Sequence, residues 1–144
     1  MADLIPSDPD FEARVRESFG NQTLMQTLGA ELTTVAPGEV AIEMPYHESF
    51  TQQNGFIHAG IVTSIADSAC GYAAYTLMPA DTGVLSVEFK VNLLAPAMGE
   101  KLIARAEVIK PGRTLTICRA DVFAVNGGEE KLVAAMQATM IARS

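Results

Sequence analysis

Residues 60–77 read GIVTSIADSACGYAAYTL, and their only formal charge is Asp67. The run has no proline and suits a helix of about five turns, ~27 Å long at ~1.5 Å per residue. At about 100° per residue, Val62, Ile65, Ala66, Ala69, Ala73 and Leu77 fall on one apolar side. Gly60, Thr63, Asp67, Gly71 and Ala74 fall on the other, a stripe of small residues with no lysine, arginine or glutamate to face water. A helix without a solvated face must be covered nearly all round. One sheet covers one side, so a second surface is required. A second copy of the chain laid along the small-residue stripe would supply it, which predicts a homodimer. The mid-run aspartate and the several serines, threonines and glycines exclude a membrane span.

Outward from this helix the pattern changes to a period of two. Val87, Phe89, Val91 and Leu93 alternate with Ser86, Glu88, Lys90 and Asn92. Leu102, Ala104, Ala106 and Val108 alternate with Lys101, Ile103, Arg105 and Glu107. Residues 115–125 are strand-rich, and Leu132, Ala134, Met136, Ala138 and Met140 keep the period. Short turns at 95–99, 111–113 and 126–128 predict a four-strand antiparallel meander with one dry face and one partly wet face. Upstream, residues 31–35 and 40–44 read as a hairpin around Ala36-Pro37-Gly38-Glu39. Phe11, Val15 and Phe19, after Ser7-Asp8-Pro9, predict a short N-terminal helix, and residues 24–28 another helical turn. No repeat or linker divides the chain, so residues 1–144 are expected to form a single α+β domain: an antiparallel sheet wrapped around one long central helix.

The chain has 144 residues, 49% of them apolar, and a net charge of −7 from 10 Lys+Arg and 17 Asp+Glu. That length supports a core without staples. The acidic balance argues against nucleic acid and anionic membranes as partners. With no tryptophan and 6% aromatics, stacking platforms for single strands are also lacking. Cys70 and Cys118 have neither metal-ligand nor CxxC spacing and read as small buried side chains. The acidic start MADLIPSDPDFEARVRESF carries no apolar leader, so a cytoplasmic location is expected.

Asp67 and the segment Gln52-Gln53-Asn54-Gly55-Phe56-Ile57-His58-Ala59-Gly60 carry the chemistry. A carboxylate in a dry helix is costly unless paired or used. The chain enters the helix at 58–60, where the first amides lack intrahelical partners and the helix dipole is positive. Small residues there let a carbonyl approach, as an oxyanion hole requires. Ala59 and Asp67 are eight residues apart, ~12 Å along a helix. Base and oxyanion donor cannot then serve one carbonyl from one chain. Two antiparallel helices across a two-fold axis can bring them together.

Gly55-Phe56-Ile57-His58-Ala59-Gly60, Asp67 nine residues after the histidine, Ser86-Val87-Glu88-Phe89 and Asn92…Pro96 resemble the hotdog-fold acyl-CoA thioesterases. The PaaI-type group, related to phenylacetyl-CoA and 4-hydroxybenzoyl-CoA thioesterases, is the most similar, over about residues 18–142. The resemblance implies a five- or six-stranded sheet around the helix, and dimers that commonly pair into tetramers. It implies Asp67 as general base or nucleophile and the Ala59 N–H, in the family's His-Gly-Gly segment, as the oxyanion donor. His58 and Gln52 would align thioester and water, and Ser86 would help position water. Gly60 would share the catalytic helix entry with Ala59, and Asn54 and Gly55 would contact the substrate. Ala59 replaces the usual glycine, and Gly71 stands where some relatives place a threonine. Coenzyme A, as part of the substrate, would rest its phosphates near Lys110, Arg113 and Thr114. No further cofactor and no metal are implied. A hotdog dehydratase or hydratase of 3-hydroxyacyl thioesters and a non-catalytic acyl-CoA-binding module are the alternatives.

Overall fold

The near-neutral segment forms one helix, α3, spanning Ala59–Tyr75. The computed structural model describes residues 4–144; the expectation of a leaderless N-terminus falls partly on residues 1–3, outside them. Helix α3 starts one residue earlier than the sequence pattern suggests and ends two residues earlier. At its end the fully buried Thr76 donates its hydroxyl to the Ala73 carbonyl (2.6 Å) and accepts the Gly38 N–H (2.8 Å).

Six antiparallel strands wrap this helix: β1 Glu31–Ala36, β2 Glu39–Pro45, β3 Gly83–Leu93, β4 Lys101–Lys110, β5 Leu115–Asn126 and β6 Glu129–Arg143. Their order is β1-β2-β4-β5-β6-β3. The inner face is rich in alanine, with Ala104, Ala106, Ala120, Ala134 and Ala138 all buried, so the helix can approach closely. Val62, Ile65, Ala66, Ala69 and Ala73 of α3 pack on it as expected, and Leu77 is half-buried. Ala74 is the exception to the small-residue stripe. It is buried within its own chain, because the sheet curls far enough for Cys118 to contact the Ala74 backbone. Cys70 and Cys118 are both buried and free.

Two strand expectations are corrected. The meander holds only for β4, β5 and β6; β3 pairs with the far side of β6, and β4 pairs with β2. Residues 94–100 are not a hairpin turn. They run across the ends of β6 and β5, held by Leu94 N–H to the Val133 carbonyl (2.8 Å) and Glu100 N–H to the Val125 carbonyl (2.8 Å). Seven residues reach up to ~23 Å, enough to cross three strand spacings of about 4.8 Å. Gly99 passes so close to Val125 that a Cβ would lie 2.5 Å from its carbonyl oxygen.

The second correction is a β-bulge between Ser86 and Glu88. The alternation puts Ser86 on the face opposite Phe89, but the extra residue, Val87, turns both inward: Ser86 opposes Met140 and Phe89 opposes Ala138.

At the N-terminus, α1 (Phe11–Gly20) and α2 (Thr23–Thr27) match the two expected helical segments. Arg14 pins α1 to the end of α3. Its Nε donates to Asp8 Oδ2 (2.9 Å), its Nη2 donates to the Tyr75 and Met78 carbonyls (3.3 and 2.8 Å), and its guanidinium stacks 4.2 Å from the Tyr75 ring centroid. Among the described residues, no helix is long and apolar enough to cross a membrane.

Candidate active site

Asp67 sits halfway along α3, on the side its own sheet leaves half-exposed. Ser86 Oγ, turned inward by the bulge, donates to Asp67 Oδ1 at 2.6 Å. This is a short charge-assisted bond that fixes one carboxylate oxygen and leaves the other open. The pair lines a cavity of about 410 Å³ whose other walls include Gln22, Ser68, Gly71 and Tyr72. Beneath it the Cys70 thiol is held protonated, chiefly by burial, with Cys118 and the negative Asp67 adding to the effect. Burial likewise pushes the Cys118 thiol up to about 12. Neither cysteine is an available nucleophile.

The start of α3 is built by a clamped turn. Thr51 bridges to Ile57, the Gln52 N–H donates to the Phe56 carbonyl (2.8 Å), and Gly55 turns the chain at φ +86°. His58 N–H donates to the Phe50 carbonyl (2.9 Å) and Ile57 N–H to the Ala97 carbonyl (2.8 Å). His58 then caps the helix, its Nδ1 accepting the Gly60 N–H at 2.8 Å. An accepting Nδ1 assigns the neutral ring's proton to Nε2. A Cβ at Gly60 would lie 3.0 Å from that Nδ1 and would crowd the cap.

The cap also sorts the amides. Gly60, expected to offer its N–H to substrate, gives it to His58 instead. The Ala59 N–H has no acceptor among the described residues. Ala59, His58, Gln52, Gln53 and Phe56 line a second cavity of about 580 Å³. Gln52 Oε1 is occupied by the Asn54 N–H, which leaves its amide nitrogen as the free end. Asn54 and Gly55, expected against substrate, form the tip of the turn and line neither cavity. Gly55 supplies the left-handed corner of that turn.

The two cavities share no residue. Within one chain the structure joins Asp67 to Ser86, and Gln52 to His58 and Ala59, but does not join the two groups. Lys110, the last residue of β4, and Arg113 and Thr114 on the β4–β5 turn are exposed, at the end of the sheet where Thr114 meets Ala142. The helix start lies at the opposite end, beside Ala97.

Residues 54–131 match the model of the thioesterase superfamily. Human acyl-coenzyme A thioesterase 13 is 32% identical over 104 residues, 72% of this chain and 72% of the human one. The chain belongs to the thioesterase superfamily. A thioesterase family protein from Silicibacter pomeroyi, 54% identical, superposes at a TM-score of 0.91, covering 92% of this chain and 97% of its own. The E. coli PaaI protein from the phenylacetic acid degradation operon shares the fold at a TM-score of 0.84 and 18% identity, covering 94% of each chain. The hotdog architecture and the activity of a thioester hydrolase follow for this superfamily member.

The matched span contains His58, Ala59, Asp67 and Ser86 but stops short of Gln52, α1 and α2. Ser18, Gln22, Ser68 and Tyr72, which gather beside Asp67, escape a reading of the sequence. Ser18 and Gln22 come from the N-terminal helices, and no local spacing ties them to position 67.

Proposed function

We propose that this thioesterase hydrolyses an acyl-CoA to the free acid and CoA, in two equivalent sites formed between two copies of the chain. The observation that carries the proposal is the separation of the catalytic parts. The free Ala59 amide and the Asp67–Ser86 pair stand ~12 Å apart along one helix, in different cavities. The surface between them is bare. Thr63, Ser64, Asp67, Ser68 and Gly71 are only half-buried, and the inward-facing Phe89 and Leu93 of edge strand β3 are 43% and 55% exposed. Apolar inner-face residues left uncovered by their own helix support a partner's helix laid antiparallel along α3.

In that arrangement each Asp67 faces the partner's Ala59. The thioester carbonyl accepts the Ala59 N–H, at the positive end of the α3 dipole. Ser86 holds Asp67 Oδ1, and Oδ2 removes a proton from a water that attacks the carbonyl carbon. The tetrahedral intermediate collapses by breaking the C–S bond, and the proton held by Asp67 passes to the leaving CoA sulfur. Gln52 and the His58 Nε2–H would orient water and thioester. The exposed Lys110 and Arg113, with Thr114, would meet the CoA phosphates on the subunit that supplies Asp67.

Incubation with a panel of aryl-, short- and long-chain acyl-CoAs, read by free thiol, tests the reaction. Thiol release supports it. Double-bond formation would favour the dehydratase, and binding without turnover an acyl-CoA-binding module. Asp67→Asn should stay folded while turnover falls by orders of magnitude; unchanged turnover would remove Asp67 from the mechanism.

A further inference from the structure

Resting on the reaction proposed above, we infer that Tyr46 is a positioning residue. Its hydroxyl holds the tip of the turn at 51–57 and thereby aims the free amide nitrogen of Gln52 into the cavity at Ala59. Tyr46 Oη donates to the Gly55 carbonyl oxygen at 3.1 Å. Tyr46 itself lines neither cavity of the site, so its effect on the reaction passes through the turn.

The turn has a fixed base and a free tip. Ile57 N–H to the Ala97 carbonyl (2.8 Å) and His58 N–H to the Phe50 carbonyl (2.9 Å) tie the base to the rest of the protein. These bonds set the Ala59 amide without help from Tyr46. The tip, Gln53-Asn54-Gly55, is held differently. Asn54 N–H to Gln52 Oε1 and Gly55 N–H to the Gln52 carbonyl (3.0 Å) both stay inside the turn. A Cβ built on Gly55 would meet nothing within 4 Å, so no packing supports this corner. The corner residue, at φ +86°, is also the type with the widest backbone freedom. Among the described residues, the Tyr46 hydroxyl is the one hydrogen-bond partner of the tip outside the turn.

The donor is anchored where the acceptor is loose. Strand β2 ends at Pro45 opposite Lys101. The Tyr46 N–H extends that pairing by one more bond, to the Glu100 carbonyl (2.9 Å). A tyrosine side chain has only two torsions to fix, so it makes a stiff strut from sheet to turn. Gln52 feels the strut because its Oε1 is held by the Asn54 N–H, one residue from Gly55. Reaction geometry is steep in position, with ~1 Å of misplacement costing about a hundredfold. A slack tip therefore registers in rate before it registers in stability.

Tyr46→Phe deletes the hydroxyl and keeps the ring. Free-thiol release from acyl-CoA, with kcat expressed per folded chain, should fall roughly three- to tenfold, the worth of one net hydrogen bond. KM should not change, since the loss falls on the transition state. The melting curve should match the parent's, because an exposed tip loosens without global unfolding. Coupling identifies the route. Once Gln52→Ala has removed the amide, Tyr46→Phe should cost nothing further. In Ser86→Ala, whose defect lies in the other cavity, it should cost its full factor. Equal kcat for Tyr46→Phe and the parent overturns the inference and leaves thioester hydrolysis standing. A lower melting temperature with kcat per folded chain intact makes the hydroxyl a stabilising group alone and overturns it too. So do losses that multiply in the Gln52→Ala background or vanish in Ser86→Ala. Thiol release by the parent from none of the aryl-, short- and long-chain acyl-CoAs refutes acyl-CoA hydrolysis itself, and this inference with it.

Discussion

Replacing Ala59 by proline separates the chemistry from the fold. Ala59 is the first residue of α3, and its N–H has no acceptor among the described residues. Proline suits that position, since its missing N–H is an orphan there and its φ is already helical. His58, at φ −59° and ψ 140°, holds the extended conformation required of a residue before proline. Folded stability should therefore change by less than ~1 kcal/mol, and a gain is expected if the stiffer unfolded chain dominates. Catalysis should not survive as well. Removing one oxyanion donor costs roughly a hundred- to a thousandfold in kcat, about 3 kcal/mol. Thiol release and thermal melting on the same preparation read both quantities, with Ala59→Gly as the control that keeps the amide. An Ala59→Pro protein that melts like its parent and also turns over like it would falsify the role given to this amide.

Ser86→Ala removes a charge-assisted hydrogen bond worth about 1.5–3 kcal/mol, so kcat should fall roughly ten- to a hundredfold. An unchanged kcat would mean that Asp67 needs no such anchor. Phe89→Glu places a charge on the uncovered inner edge of β3 and should give monomers in sedimentation, with activity lost in step; an active monomer contradicts the shared site. Cys118 links stability to alkaline pH. Burial raises its thiol from 9.0 to about 12, so the unfolded chain releases a proton above pH 9 that the folded chain keeps. Stability is unaffected below pH 9 and falls by up to ~1.4 kcal/mol per pH unit from there toward the folded value. Cys118→Ala should lose that part of the slope in denaturant melts, and parallel curves for the two proteins would refute it.

The central helix was legible because eighteen residues with one charge admit few environments. The same absence of charge that predicted burial also marked the stripe left bare by a single chain. The eight-residue gap between Ala59 and Asp67 keeps the two apart within one chain, and in the structure they line separate cavities. Less local features were not readable. The alternation through 86–93 looks unbroken, yet the bulge at Val87 inverts Ser86 and so creates its bond to Asp67. Residues 94–100 have a length that serves a turn or a crossing equally well, and only the bonds to Val125 and Val133 distinguish them. Gly60 reads in the sequence as a second open amide, but the His58 ring claims it. Gln22 and Tyr72 meet through tertiary packing alone.

Mixing two inactive proteins tests the shared site most directly. Chains carrying Asp67→Asn keep a working Ala59 amide, and chains carrying Ala59→Pro keep a working carboxylate. After equal amounts are unfolded and refolded together, half the dimers should be mixed, each with one intact site, restoring roughly a quarter of the parental activity. Proven mixed dimers with no activity above either parent variant would show that each chain supplies its own base and its own donor.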